Sequence, residues 1–302
     1  MEMKKLSELL SIAKKKNHVL KLVIATAEDD FVLKAIAEFC KFGLMKPILV
    51  GNKSKITQIL EKEEISLPSI EIVSANTEIE SAKLSVEIVK KGKGDILMKG
   101  LLPTKTFIKE ILNKKTGINT SGYFSHLGLF ESPYYPKLFG LSDAAINILP
   151  DIETKKFIIK NAVEVYHKLG IAVPKVALLA PIEKINPRMQ STLDAAELVK
   201  IHESEKIAEC DIEGPLALDI AISQTAAEHK GISSKIAGHS DILIVPEITS
   251  GNVFYKSLTY LGNAKAAGIL LGANAPIVVT SRSDSSESKL YSLALAYNLC
   301  NP

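Results

Sequence analysis

The chain has 302 residues, 46% of them hydrophobic and 24% charged, with a formal net charge of +3, no Trp and three Cys. That size allows one large domain or two ordinary ones. The charge excess is too small to imply a nucleic-acid surface, and the scarce aromatics argue against base- or sugar-stacking platforms. Cys40, Cys210 and Cys300 are far apart, with no Cys-x-x-Cys or clustered His/Cys spacing, so no structural zinc or other metal is expected. Three thiols suit a reducing cytoplasm, and residues 1–17 lack the apolar core of a signal peptide. The longest apolar runs are strand-sized and too short to span a membrane. The expectation is a soluble, cytoplasmic protein with no membrane and no nucleic-acid partner.

In chain order, Lys14-Lys15-Lys16 reads as a solvated helix face. Residues 18–25, 47–50, 70–73 and 95–98 read as short buried strands. Helical patterns follow each of them, at 29–42, 54–62, 77–91 and 104–113. Alternation of this kind predicts an α/β fold, a parallel sheet with helices on both faces. The pattern changes at 122–150, where three strand candidates follow one another with Pro133, Pro136 and Gly140 between them and no helix. Such a meander marks a crossing between domains or an antiparallel addition. Alternation resumes with a helix at 153–169, a strand at 175–180 and a helix at 189–204. Strands at 241–245 and 276–280 and a last amphipathic helix at 285–298 complete the chain. The expected division is a first α/β domain of 1–135 plus 285–302 and a second of 136–284.

The last fifth of the chain carries the most chemical information. The strands at 241–247 and 276–280 each run into a polar loop that opens a helical pattern. The loops are Thr249-Ser250-Gly251-Asn252 and Ser281-Arg282-Ser283-Asp284-Ser285. A helix N-terminus offers backbone N–H groups and partial positive charge, which suits phosphate. Gly251 would let the backbone approach an anion. Arg282 could grip phosphate oxygens with two parallel donors, and Lys256 could add a point charge. Thr249 and Ser250 read equally well as helix caps, and Asp284-x-x-Glu287 reads as a capping box.

These loops resemble the phosphate acetyltransferase and phosphate butyryltransferase family. The resemblance rests on Pro246-Glu247-Ile248-Thr249-Ser250-Gly251-Asn252 with Tyr255-Lys256, and on Ser281-Arg282-Ser283-Asp284. It extends to Glu213-Gly214-Pro215-Leu216 with Asp219, Met98-Lys99-Gly100 and Asp143-Ala144-Ala145-Ile146-Asn147. Asn186-Pro187-Arg188-Met189 and Thr192-Leu193-Asp194-Ala195 also fit, so it covers nearly the whole chain. Length and the Asn186 to Met189 run look more like the butyryl branch. The resemblance implies two α/β domains around a cleft, isocitrate/isopropylmalate dehydrogenase-like, with the C-terminal helix returning to the first domain. It implies reversible transfer of a short acyl group from coenzyme A to phosphate, directly, in a homodimer or higher homo-oligomer. No cofactor is expected beyond coenzyme A as substrate and product.

Within that reading Arg282, Ser281 and Asp284 are the catalytic candidates. Thr249, Ser250, Gly251, Asn252, Lys256 and Lys99 are expected at phosphate, and Ser125, Glu183, Asn186, Met189 and Thr192 around the acyl group or coenzyme A arm. His126 is a packing residue or a general base. In the acetyl branch a catalytic aspartate follows the Ser-Arg pair by several residues; the same offset lands on Ser288, which leaves Asp284 and Glu287 as the nearest carboxylates. The other readings are acetyl-CoA as substrate, a decarboxylating dehydrogenase of the same fold, and a non-enzymatic acyl-ligand binding protein. No P-loop, dinucleotide fingerprint or Gly-x-Ser-x-Gly elbow is present.

Overall fold

The computed structural model describes residues 3–119, 122–280 and 284–300. The chain begins with α1 (Ser7–Lys16), β1 (Leu20–Ala25), α2 (Asp30–Cys40), β2 (Met45–Gly51), α3 (Lys53–Lys62) and β3 (Glu71–Ser74). It continues with α4 (Glu78–Lys90), β4 (Ile96–Lys99), α5 (Thr104–Ile111), β5 (Ser125–Glu131), β6 (Phe139–Ser142) and α6 (Ile152–Lys168). Next come β7 (Lys175–Leu179), α7 (Gln190–Glu205), β8 (Asp211–Leu216), α8 (Leu218–Ile222), α9 (Gln224–His229) and β9 (Ile242–Ile244). The last elements are α10 (Ile248–Lys256), β10 (Lys265–Leu271), β11 (Ile277–Val278) and α11 (Ser286–Leu299). The fold is α/β, and the alternation read from the sequence holds from β1 to α5.

The chain forms two compact units. One comprises Ser7–Gly122 and Ala267–Pro302; the other comprises Met1–Leu6 and Tyr123–Ala266. These limits differ from the breaks expected at 135/136 and 284/285. The antiparallel pair β5–β6 stays with the strands that follow it, because β6 pairs in parallel with β9. At the other end β11 joins β4, so the chain has already changed unit before residue 284. The meander also holds two strands rather than three: residues after Ser142 turn around the Asp143 carboxylate instead of extending.

In the 7–122 unit the strand order is β3-β2-β1-β4-β11-β10. Every pairing is parallel except β10 with β11. Its strands are near-continuous Val/Ile/Leu runs because helices cover both faces. The helices are capped as sequence chemistry dictates: Asp29, Asn52 and Thr77 each accept a backbone N–H three residues on. The final helix is the unit's spine, with Tyr291 to Leu299 all buried. Its Asn298 amide donates to Leu9 O and its Tyr297 hydroxyl to His18 O, which ties α11 to α1 and β1. The order 3-2-1-4 puts a topological switch point between β1 and β4, and ligands of open α/β sheets bind beyond the carboxyl ends of strands at such points.

In the 123–266 unit the order is β5-β6-β9-β7-β8, parallel apart from β5–β6. Phe130, Tyr135, Phe139, Leu141, Leu216, Ile220 and Leu243 belong to one core cluster of this unit. Two buried ion pairs brace it, Lys137 with Asp241 at 2.6 Å and Lys155 with Asp194 at 2.5 Å. Breaking one partner of such a pair strands a charge in apolar surroundings, so both lysines serve the fold.

Candidate active site

The 7–122 unit carries a cavity of about 260 Å³ lined by Glu28 to Val32, Lys99, Gly100, Leu101, Thr280 and Lys289. It lies beyond the carboxyl ends of β1, β4 and β11, where the switch point places it. Lys99 ends β4 and is 7% exposed; its Nζ donates to Gly100 O at 3.1 Å and Leu102 O at 3.2 Å. Gly100 is required beside it, because a Cβ there would stand 2.2 Å from Thr26 O. That contact lets the β4 turn close onto β1, and so fixes the direction of the Lys99 side chain. Lys289 enters from the first turn of α11, is 2% exposed, and donates to Asp284 O at 2.5 Å.

Three acids also line the cavity, and one oxygen of Glu28 is buried there without a hydrogen-bond partner. Glu28 accepts from Asn52 N at 2.7 Å, and Asp29 caps α2 through Val32 N at 3.0 Å. Asp30 faces Lys34 at 3.5 Å. Lys289 was not among the residues singled out from the sequence. Its only sequence signal was a lysine three positions inside the last helix, just before the run Tyr291 to Leu299 that is buried throughout.

Ser281 and Arg282 lie outside the described residues, as does Ser283. Asp284 is partly buried, and the expectation that it caps the last helix is corrected. The cap is Ser285, whose extended backbone lets its hydroxyl accept from Ser288 N at 3.1 Å. Asp284 stands one residue further out, so its carboxylate is not the cap. Glu287 instead accepts from the Tyr291 hydroxyl at 3.0 Å.

The 123–266 unit gathers a second set at the carboxyl ends of its own parallel strands. The loop after β9 enters α10, and here the expected nest of backbone donors takes a different form. Glu247 is the helix cap: its carboxylate accepts from Thr249 N and from Ser250 N, each at 2.7 Å. Ile248 N donates to Ile148 O and Gly251 N to Glu247 O, so all four leading amides are engaged within the protein. Burial works against ionising Glu247, but the hydrogen bonds from Ser250 and Thr249 outweigh it and hold the carboxyl at about 2. The protein's own carboxylate thus occupies the position foreseen for a phosphate. Gly251 is also placed for a different reason: a Cβ would lie 2.8 Å from Asp143 O, so its bareness lets α10 pack on the turn after β6. Asn252 donates to Ala144 O at 3.2 Å across the same contact. Thr249 and Lys256 are exposed.

The turn at Asp143 is itself a closed set of hydrogen bonds. Its carboxylate accepts from the backbone N–H of Ala145, Ile146 and Asn147 and from the Asn147 amide. Ser125 is fully buried in β5 and accepts from Asn161 Nδ2 at 3.0 Å, and His126 is 6% exposed beside the Tyr255 ring. Glu183 pairs with Lys230 at 3.1 Å, and Lys230 also reaches Asp219 at 2.9 Å. Asn186, Met189 and Thr192 come together at the entry to α7. The buried Thr192 hydroxyl donates to Met189 O at 2.8 Å and accepts from Asn186 N at 2.9 Å. Met189 is half-buried there.

Burial raises the Cys40 thiol to about 11 and the Cys210 thiol to about 12, so neither is a thiolate at neutral pH. Among the described residues no group of three or more His, Cys, Asp or Glu could hold a metal ion, and no helix is long and apolar enough to cross a membrane.

The chain matches the family model described as phosphate acetyl/butaryl transferase over residues 4–85 and 79–297. It is 43% identical over 293 residues to a phosphate butyryltransferase of Clostridium acetobutylicum, covering 97% of each chain. It is 38% identical over 291 residues to a phosphate acetyltransferase of Thermotoga maritima, covering 96% of this chain and 98% of the other. A branched-chain phosphotransacylase from Enterococcus faecalis V583 superposes with a TM-score of 0.84 at 36% identity, covering 93% of this chain and 98% of that one. The protein belongs to the phosphate acetyl/butyryl transferase family.

Proposed function

We propose that this protein is a phosphate acyltransferase that converts a short-chain acyl-CoA and phosphate, reversibly, to acyl phosphate and coenzyme A. The observation that carries the reading is 43% identity to a phosphate butyryltransferase along 97% of both chains. Butyryl-CoA or a similar short ester is favoured over acetyl-CoA, because phosphate butyryltransferase relatives stand at 41–43% identity and phosphate acetyltransferase relatives at 39% and below. Two buried lysines lining one cavity suit an anionic substrate, and the family match favours the acyltransferase over a decarboxylating dehydrogenase or a passive acyl-binding protein.

A phosphate oxygen attacks the thioester carbonyl, the carbon–sulfur bond breaks, and coenzyme A leaves as its thiolate. A thiol with a pKa of about 8.5 leaves with little acid assistance. Catalysis then rests on holding two anions together and stabilising the carbonyl oxyanion. Arg282 and Ser281 take those roles, with Lys99 at the phosphate. Thr249, Ser250, Asn252 and Lys256 contribute through side chains, since the amides at that junction are engaged. Ser125, Glu183, Asn186, Met189 and Thr192 surround or support the acyl and coenzyme A positions. Asp284 is the nearest carboxylate for deprotonating coenzyme A in the reverse direction. Transfer is direct in this reading, because none of Cys40, Cys210 and Cys300 lies in a loop of the candidate site. No cofactor is assigned, the working form is a homo-oligomer in the cytoplasm, and the finer fold comparison is with isocitrate/isopropylmalate dehydrogenases.

The test is phosphate-dependent release of free coenzyme A from acetyl-, butyryl- and isobutyryl-CoA. Release with butyryl- or isobutyryl-CoA at higher kcat/KM than with acetyl-CoA is expected. Release only with acetyl-CoA would move the protein to the acetyl reading, and no release from any ester would remove the enzyme.

A further inference from the structure

Lys289 poses a charge problem that the fold does not resolve. Its ammonium carries three donors and is 2% exposed. Among the described residues its one acceptor is the neutral carbonyl of Asp284, and no carboxylate forms an ion pair with it. The other buried lysines of the chain differ. Lys137 and Lys155 each hold a carboxylate within 2.6 Å, and Lys99 satisfies two backbone carbonyls. Burying an ammonium with a single carbonyl partner is expensive unless a counter-charge joins it. None of the three acids lining the cavity forms an ion pair with Lys289: one Glu28 oxygen accepts from Asn52 N while the other is buried without a partner, Asp29 accepts from Val32 N, and Asp30 faces Lys34.

Size and position narrow what would. The cavity of about 260 Å³ has room for a tetrahedral anion. It sits at the sheet's switch point, with Lys99 on the same wall and Thr280 5% exposed beside them. We propose that Lys289 is a phosphoryl-binding residue. In this reading its two remaining donors hold oxygens of inorganic phosphate in the forward reaction and of acyl phosphate in the reverse. The assignment rests on the acyltransferase reading for its substrate, but its binding test does not require turnover.

The experiment uses the full chain as wild type, Lys289→Met and Lys289→Arg. Melting temperature is measured with inorganic phosphate and, separately, with free coenzyme A; KM is measured for phosphate and for butyryl-CoA. Met keeps the stem and removes the charge. Phosphate should raise the melting temperature of the wild type and not that of Lys289→Met, while the shift from coenzyme A persists in both. The phosphate KM of Lys289→Met should rise about tenfold or more, as expected for a lost charge-assisted hydrogen bond, with the butyryl-CoA KM within about twofold. Three results overturn the assignment: an unchanged phosphate KM and shift in Lys289→Met, equal rises in both KM values, or loss of the coenzyme A shift alone. Should Lys289→Met not fold, Lys289→Gln takes its place, with the charge removed and a polar end kept: a raised phosphate KM alone, restored toward wild type in Lys289→Arg, supports the assignment, and a wild-type value or a joint rise in Lys289→Gln overturns it. A Lys289-dependent phosphate shift without coenzyme A release would sink the acyltransferase reading and leave this one standing.

Discussion

Two junctions of this protein look alike as sequence and behave differently as structure. Residues 247–252 and 284–289 are both largely polar stretches that open a helix after a buried strand. At the first, Glu247 folds back on its own helix and engages the leading amides, so the junction is electrostatically closed. At the second, Ser285 caps the helix with a neutral hydroxyl, and a lysine one turn in is buried with a carbonyl as its acceptor. A helix start that contains its own carboxylate has no electrostatic need of an external anion; one that buries a cation does. The comparison teaches that a phosphate-friendly loop is identified by what remains unpaid in charge, not by its Ser, Thr and Gly content.

The largest expected effect falls on the second junction. Arg282→Lys keeps the charge but loses the planar two-donor fork, and should lower kcat/KM by about 100-fold or more with the fold intact. Circular dichroism with steady-state kinetics checks it, and near wild-type turnover in a folded variant would remove Arg282 from the phosphate. At the first junction, Gly251→Ala should cost about 1–3 kcal/mol, because its methyl meets Asp143 O at 2.8 Å and backbone must move. Urea melts read that loss; a variant as stable as wild type would mean α10 does not pack on the β6 turn as described.

A smaller pair of effects separates cap from carboxylate at the second junction. Ser285→Ala should destabilise the protein by about 1 kcal/mol, and Asp284→Asn by much less, since Ser285 and not Asp284 holds Ser288 N. If Asp284→Asn also slows the acyl phosphate-consuming direction at neutral pH, and the loss shrinks as pH nears the thiol value of about 8.5, the residue acts as a base. An Asp284→Asn protein less stable than Ser285→Ala would reverse the assignment of the cap.

The smallest effect is a pH dependence at the first junction. Glu247 has its pKa lowered to about 2 from the ordinary 4.5, so the unfolded chain binds a proton more readily than the folded one in that interval. The stability it contributes is present above the ordinary value and is lost as pH falls through about 2. Glu247→Gln cannot titrate, so its deficit against wild type should be full at about pH 6 and shrink as acid is added. Parallel melting curves for the two proteins across that range would show the carboxylate to be exposed and idle.

Much of the fold was legible from periodicity. Strands such as Leu20–Ala25 and Ile96–Lys99 are apolar at all but one position, and Asp29 and Thr77 announce their helices through side chains that reach three residues on. Two strands were not read. Asp211–Leu216 contains Gly214-Pro215 and is tolerated as a strand because it lies last in the sheet order, where an amide can be spared. Lys265–Leu271 is Ala- and Gly-rich, with little strand propensity of its own; pairing with β11 and burial make it extended. Of the candidate site, Lys99 was legible as a residue ending a buried strand. Lys289 was not, because it follows Ser286, Glu287 and Ser288 in a polar first turn where a lysine is ordinary, and only the fold buries it.

Sequence by itself determined the class of the fold, the parallel strands and the helix starts, because these depend on residues within a few positions of one another. It also carried the family, through short motifs spread along nearly all of the chain. Tertiary structure decided where the units divide, which carboxylate caps α10, why Gly251 is bare, and which lysine lacks a counter-charge. Each of those depends on atoms far apart in the chain, such as Asp143 over Gly251 or β4 beside β11, and a linear pattern holds no record of such distances.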